Sequence, residues 1–229
     1  MRSSLKIALT AVFAALHTVL YFASFGLWRN WAIYLEPIEG IFLGPWAGFS
    51  AALIGSAVGR MIRPDPLWMF GIIAEPLSVL MVAFLAKRRW LPVLATYGVM
   101  LAAYFVHPFG TLLPLWAILD VLIGLVMIYP VARFHRLGAE DDKRFLPLSV
   151  IAISFVGTVT DSLTRIFLFI PVGLYAFLGL SFDEVFFIFT TGAVASYIED
   201  LIVVAVSLLV GVPLLLALRR MPEFKYPLT

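Results

Sequence analysis

The chain has 229 residues, 62% hydrophobic and 13% charged, with 16 Lys and Arg against 14 Asp and Glu. An ordinary globular domain is about 45–50% apolar and about 25% charged, so a water-soluble surface is excluded. The lack of cysteine removes disulfide frameworks, thiol catalysis and cysteine-ligated metals. The net charge of +2 is what membrane-orienting basic clusters leave, not a sign of nucleic acid. The composition reads as all-α: a polytopic transmembrane helical bundle forming one integral membrane domain over residues 1–229.

Taken in chain order, the first apolar run covers residues 5–25, behind Arg2 and Lys6. It is as long as a spanning helix and shows no clear cleavage site, so it reads as a retained first helix. The next run, 31–62, holds Gly44-Pro45 near its middle. Proline cannot continue a helix without losing a hydrogen bond, and glycine permits a sharp turn, so the run divides into 31–43 and 46–62. Apolar runs follow at 67–86, 91–106, 112–132, 146–172 and about 193–218. The stretch 182–191, led by Asp183-Glu184, is too short to span; it is an interfacial helix or the start of the last span. Residues 137–145, with Glu140, Asp141 and Asp142, form a cytoplasmic linker between six segments in 1–136 and two in 146–229.

Basic residues then set the orientation. Twelve of the 16 fall in four clusters: Arg2/Lys6, Lys87-Arg88-Arg89, Arg133/Arg136/Lys143/Arg144 and Arg219/Arg220/Lys225. If all four are cytoplasmic, each intervening stretch crosses an even number of times. That condition holds only if 31–62 is split, which gives eight segments with both termini cytoplasmic. The rival is seven, with the N-terminus outside. In the eight-segment scheme residues 27–30, 60–66, 107–111 and 173–181 face outside.

Small residues make two stripes on the third segment, Gly44/Gly48/Ala52 and Ala51/Gly55/Gly59, and Ala11/Ala15 make a pair on the first. Small residues at four-residue spacing let backbones approach closely in lipid, either within one chain or against another membrane subunit. Seven acids lie in or beside apolar runs: Glu36, Glu39, Glu75, Asp120, Asp161, Glu199 and Asp200. A charge at the bilayer centre costs about 2.5–3.5 kcal/mol on insertion scales, so each should face a cavity, a partner or the protein interior. Asp161 and Arg165, four apart on one helix, can pair directly. Glu199 and Asp200 sit on different helix sectors, so at most one faces a given cavity. Glu39 and Glu75 have no basic neighbour on their own segments, leaving Arg60 or Arg165 to serve from across the bundle. The surplus of such acids over bases points to a cationic or amine-bearing solute. Phe25, Trp28, Trp31 and Tyr34 form either an interfacial aromatic belt or a lid over a flat ligand. Trp46, Trp68, Trp90 and Trp116 read as belt residues. His17, His107 and His135 have no metal-ligand spacing, and the chain has no nucleotide-binding P-loop, GxSxG elbow or HExxH. Neither enzyme activity nor a cofactor or metal is expected.

The chain resembles the substrate-binding S components of energy-coupling factor vitamin transporters. The likeness rests on Lys6-Ile-Ala-Leu-Thr-Ala11-Val-Phe-Ala-Ala15-Leu-His17, on Glu39-Gly-Ile-Phe-Leu-Gly44-Pro45-Trp-Ala-Gly48 with Ala52-Leu-Ile-Gly55-Ser-Ala-Val-Gly59, and on the late spans, Gly157-Thr-Val-Thr-Asp161 and Ile198-Glu-Asp-Leu-Ile202 running to Gly211-Val-Pro213. It covers about two-thirds of the chain, and many members have six spans where this chain has eight segments. The resemblance implies a cell-membrane, multi-pass subunit that captures a vitamin or similar small solute and docks, through Ala11 and Ala15, on a T subunit with two ATPases. In that role Trp31, Tyr34, Glu39, Glu75, Asp161 and Glu199 are the expected cavity residues. The alternative is a scaffolding protein of the cell envelope, in which every acid is paired inside a bundle without a cavity. A third reading, an intramembrane enzyme, needs two or more acids converging beside a water-filled cleft.

Overall fold

A computed structural model describes residues 3–24, 29–135, 137 and 145–219. Expectations resting on Arg2, Phe25, Trp28, Arg136, Arg220 and Lys225, and most of the 137–145 linker, fall outside those residues. The described residues form helices and contain no strand. They comprise α1 (Ser3–Tyr21), α2 (Glu36–Leu43), α3 (Pro45–Ile62), α4 (Trp68–Ala86), α5 (Trp90–Val106), α6 (Pro108–Leu112), α7 (Leu119–Phe134), α8 (Leu146–Phe169), α9 (Leu174–Phe177), α10 (Phe182–Val206) and α11 (Val212–Arg219). Short 3-10 turns, Trp31–Tyr34 and Leu115–Ile118, lead into α2 and α7.

Local chemistry sets these boundaries. Gly44 has φ 78°, a left-handed value suited to glycine, and Pro45 opens α3, so one apolar run becomes two helices. Ser181 and Glu184 form a capping box in which each side chain bonds the other's backbone N–H, and this starts α10 at Phe182. From there the chain stays helical through a π turn at Ser207–Gly211 into α11. The stretch 182–191 is therefore the start of the last long helix.

Five stretches are long and apolar enough to cross a membrane: Ser4–Tyr21, Trp68–Ala86, Leu115–Phe134, Leu146–Phe169 and Phe182–Ala217. The polarity of the bundle is inverted relative to a soluble protein. Val126 and Leu201 are 73% and 69% exposed, whereas Glu39 and Asp161 are 0% exposed. A greasy outside around a charged inside is the arrangement that hydrocarbon solvent favours.

Packing fixes the direction of each run. α1 and α3 lie side by side and point the same way: Thr18 bonds the Gly55 carbonyl at 3.2 Å and Tyr21 the Arg63 carbonyl at 2.8 Å. A Cβ at Gly55 would meet His17 Cβ at 2.6 Å, and one at Gly59 would meet the Tyr21 ring at 2.7 Å. These small residues serve contact within the chain. Parallel neighbours require the chain to return between them. It does so through 31–43: Trp31 N–H bonds the Ala23 carbonyl, and the Phe42 ring lies 5.5 Å from that of Phe13. α4 then runs antiparallel to α8, with Ser78 donating to the Gly157 carbonyl and Glu75 facing Arg165. α5 runs parallel to α8, Tyr97 donating to the Val156 carbonyl and Met100 meeting Thr164. α10 runs antiparallel to α8, pairing Ser196 with Ser162 and Asp200 with Thr158. One end of the bundle therefore gathers residues 23–24 and 29–30 and the loops around 63–67, 107–114 and 170–181.

Candidate functional site

At that end, a chain of buried charges crosses the bundle. It begins on α1, where the His17 ring nitrogens face two carboxylates, Glu39 of α2 at 3.2 Å and Glu75 of α4 at 3.0 Å. Glu75 is the hub. Arg60, near the end of α3, grips it with Nη2 at 2.7 Å and Nη1 at 3.3 Å. Ser56 donates to Glu75, Asn30 Nδ2 reaches Oε1 at 3.3 Å, and Arg165 of α8 stands 3.6 Å from the same oxygen. Arg60 can lie there because Gly71 has no side chain; a Cβ at that position would sit 1.4 Å from Arg60 Nη2.

The chain continues through α8 to α10. Arg165 Nε donates to Asp161 at 2.7 Å, the i, i+4 pair expected from spacing. Asp161 also accepts from Arg29 Nη1 at 3.3 Å. Arg29, in the loop before α2 and 6% exposed, spends every donor: Nε and the backbone N–H on Glu199, Nη1 on Asp161 and Ser162, Nη2 on Asp200 and the Ser196 carbonyl. Burial alone would lower its pKa, but Asp200, Glu199 and Asp161 outweigh that and raise it above the ordinary value. The planar fork of a guanidinium is what allows one cation to serve three carboxylates. Glu199 and Asp200 thus share one partner although they point differently: Glu199 lines the adjoining cavity and Asp200 stands behind it.

The cavity beside this network measures about 560 Å³. A pocket of roughly 300–1,000 Å³ suits a small organic ligand. Its walls come from the ends of α3, α4 and α7, the C-terminal part of α8, the middle of α10, and the loops around Asn30, Asp65 and Leu178. Arg29, Arg60, Arg63 and Arg165 line it together with apolar residues that include Phe70, Ile166, Phe169 and Leu180. The lining acids are Asp65, Asp120 and Glu199.

Of the residues expected to line a cavity, Glu199 does so. Glu75 and Asp161 stand one layer back, holding Arg60 and Arg165. Glu39 is a layer further away, on His17. Trp31 and Tyr34 pack on each other with ring centroids 6.0 Å apart and are not in the lining. Ala11 and Ala15 lie on the exposed face of α1. The surplus of acids is largely spent on buried cations. Two acids are exceptions among the described residues: Glu36 is fully buried with no hydrogen-bond partner on either oxygen, and Asp120, in the cavity lining, accepts the Val121 N–H and forms no ion pair.

Sequence reasoning missed His17 and Arg29 as members of the site. One signal was present. The four basic residues outside the orienting clusters are Arg29, Arg60, Arg63 and Arg165, and these are the four that line the cavity. Among the described residues no group of three or more His, Asp or Glu is placed to hold a metal ion. Compared with protein-family models, curated proteins and solved structures, the chain finds no match.

Proposed function

We propose that this chain is the solute-capturing subunit of an importer in the cell membrane, of the energy-coupling factor S-component type. The observation that carries this reading is the cavity at one end of the bundle, walled by arginines that a buried acid network holds in place. A bilayer protein tolerates buried charge where it builds a site or a pathway. The crossings number eight, alternating in direction, with 31–43 as the short return between parallel α1 and α3. Both termini then lie with Lys87-Arg88-Arg89 on the cytoplasmic side, and the cavity lies on the outer side. The buried pairing of most acids suits a scaffold equally well; a cavity of this size is the observation that favours the binder.

Capture and energy supply are divided in this reading. The chain has no P-loop, so a T subunit and its two ATPases would drive release. α1 offers the docking face: Ala8, Ala11 and Ala15 are exposed beside Ile7 and Val12, while its other face is packed on α3. Small residues there permit a close helix contact in lipid.

Two measurements test this reading. Equilibrium dialysis of the purified chain against pooled water-soluble vitamins, read by mass spectrometry, should retain at least one at 1:1. Ala11→Trp with Ala15→Trp should leave that binding within about twofold, because both side chains face outward, and should abolish uptake of the same solute by cells. Retention of no solute would contradict capture, and unchanged uptake would contradict docking through α1.

A further inference from the structure

The arginines around the cavity are not spent equally. Arg29 is saturated by protein acceptors, as shown above. Arg165 donates from Nε and Nη2 only; its Nη1 bonds no described residue, and the side chain is 21% exposed. Arg63 is exposed, lines the cavity, and its side chain pairs with no described residue. Arg60 is drawn beside Arg165, because both guanidinium groups converge on Glu75 Oε1 at 2.7 Å and 3.6 Å. Arg60 and Arg165 thus stand side by side, Arg63 lines the same cavity, and all three keep unused donors, that of Arg60 being a buried Nε.

The lining acids do not occupy these donors. Glu199 is held on both oxygens by Arg29. Asp65 Oδ1 accepts the Leu67 N–H at 2.8 Å. Asp120 Oδ1 accepts the Val121 N–H at 2.8 Å, on α7 beside Asp200. None of the three forms an ion pair with Arg63 or Arg165 among the described residues. Phe70 and Phe169, 6.3 Å apart edge to face, form an apolar wall of the same cavity. Guanidinium groups with free forks match carboxylate and phosphate oxygens, and an aromatic wall takes a hydrophobic body.

We infer that the cavity takes an organic anion: a carboxylate or phosphate held by Arg165 and Arg63, with Arg60 adding charge, and an apolar body against Phe70 and Phe169. This rests on the capture reading above and names the chemistry of its solute. The same anionic group could arrive on a water-soluble molecule or on a lipid head group.

The test uses the full chain in nanodiscs of neutral phosphatidylcholine. Thermal unfolding is followed with matched sets of probes: benzoate, benzamide and benzylamine, then the larger naphthoate, naphthamide and naphthylmethylamine, with phenyl and naphthyl phosphate. Carboxylates or phosphates should stabilise the chain; the amides and amines should not. Arg165→Gln and Arg63→Gln should each weaken anion binding on the order of tenfold. Arg63→Gln is the safeguard, since that side chain holds no other part of the fold. Equal or better stabilisation by amines or amides, or undiminished anion binding in both variants, overturns the anion assignment and leaves capture standing. No stabilisation by any probe in either lipid overturns both. If phosphatidylglycerol in place of phosphatidylcholine stabilises the chain through Arg63 and Arg165 while soluble anions do not, the anion is a lipid and solute capture falls.

Discussion

Arg29→Gln should be the most damaging single substitution at the site. It leaves Asp161, Glu199 and Asp200 without the cation they share, all buried at the junction of α8 and α10. Removing one partner of a buried pair typically costs about 3–5 kcal/mol, because the remaining charge has neither water nor a counter-ion. We expect loss of monodisperse protein in size-exclusion chromatography, or a clearly lowered unfolding temperature. Arg29→Lys should recover only part of the loss, since an ammonium cannot extend a planar fork to three acceptors. Adding Glu199→Gln to Arg29→Gln should restore part of the stability by removing one stranded charge. An unchanged unfolding temperature in Arg29→Gln would show that the network contributes little to holding the bundle.

Glu75→Gln should have the second largest effect, and a different one. Glu75 accepts from Arg60, Ser56 and Asn30 and faces His17, so one substitution reaches α1, α3 and the loop before α2 together. The expected stability loss is again about 3–5 kcal/mol, but solute binding should fall further than stability alone accounts for, because Arg60 and Arg165 lose the negative charge on which they converge. Glu39→Gln is the control. Among the described residues its side chain bonds His17 alone, away from the cavity wall, so it should leave binding nearly unchanged. Equal binding losses in the two variants would contradict the positioning role of Glu75.

Much of the fold was legible because membrane sequences announce their helices by apolar length. The 67–86 and 91–106 runs begin and end within a residue of α4 and α5. The break at Gly44-Pro45 was legible for a local reason, glycine φ followed by proline, and the parallel packing of α1 and α3 supplies the reason for it in three dimensions. The unity of 182–217 was harder to see. Its beginning depends on the Ser181/Glu184 capping box, which was present in the sequence, whereas apolarity alone left 182–191 ambiguous.

The site was legible in composition but not in geometry. Asp161–Arg165 could be read because its partners are one helical turn apart. The partners of Arg29 lie 132 to 171 residues away, and no local pattern identifies them. His17 has no local partner in the sequence because Glu39 and Glu75 reach it from other helices. The acids drew attention as the rare residues in an apolar chain, yet their placement makes them supports. The arginines left over after orientation were the better pointer: a base that sets no topology and sits beside an apolar run needs another reason to be there, and the cavity supplies it.

The central claim is that solute enters this cavity from the outer face. The chain has no cysteine, so Ser196→Cys places a single thiol in the cavity lining without a competing site. Intact cells treated with a small membrane-impermeant methanethiosulfonate should label that thiol, and prior addition of the retained solute should block labelling. A thiol that reacts only after denaturation, or only when the cytoplasmic face is opened, would contradict the account.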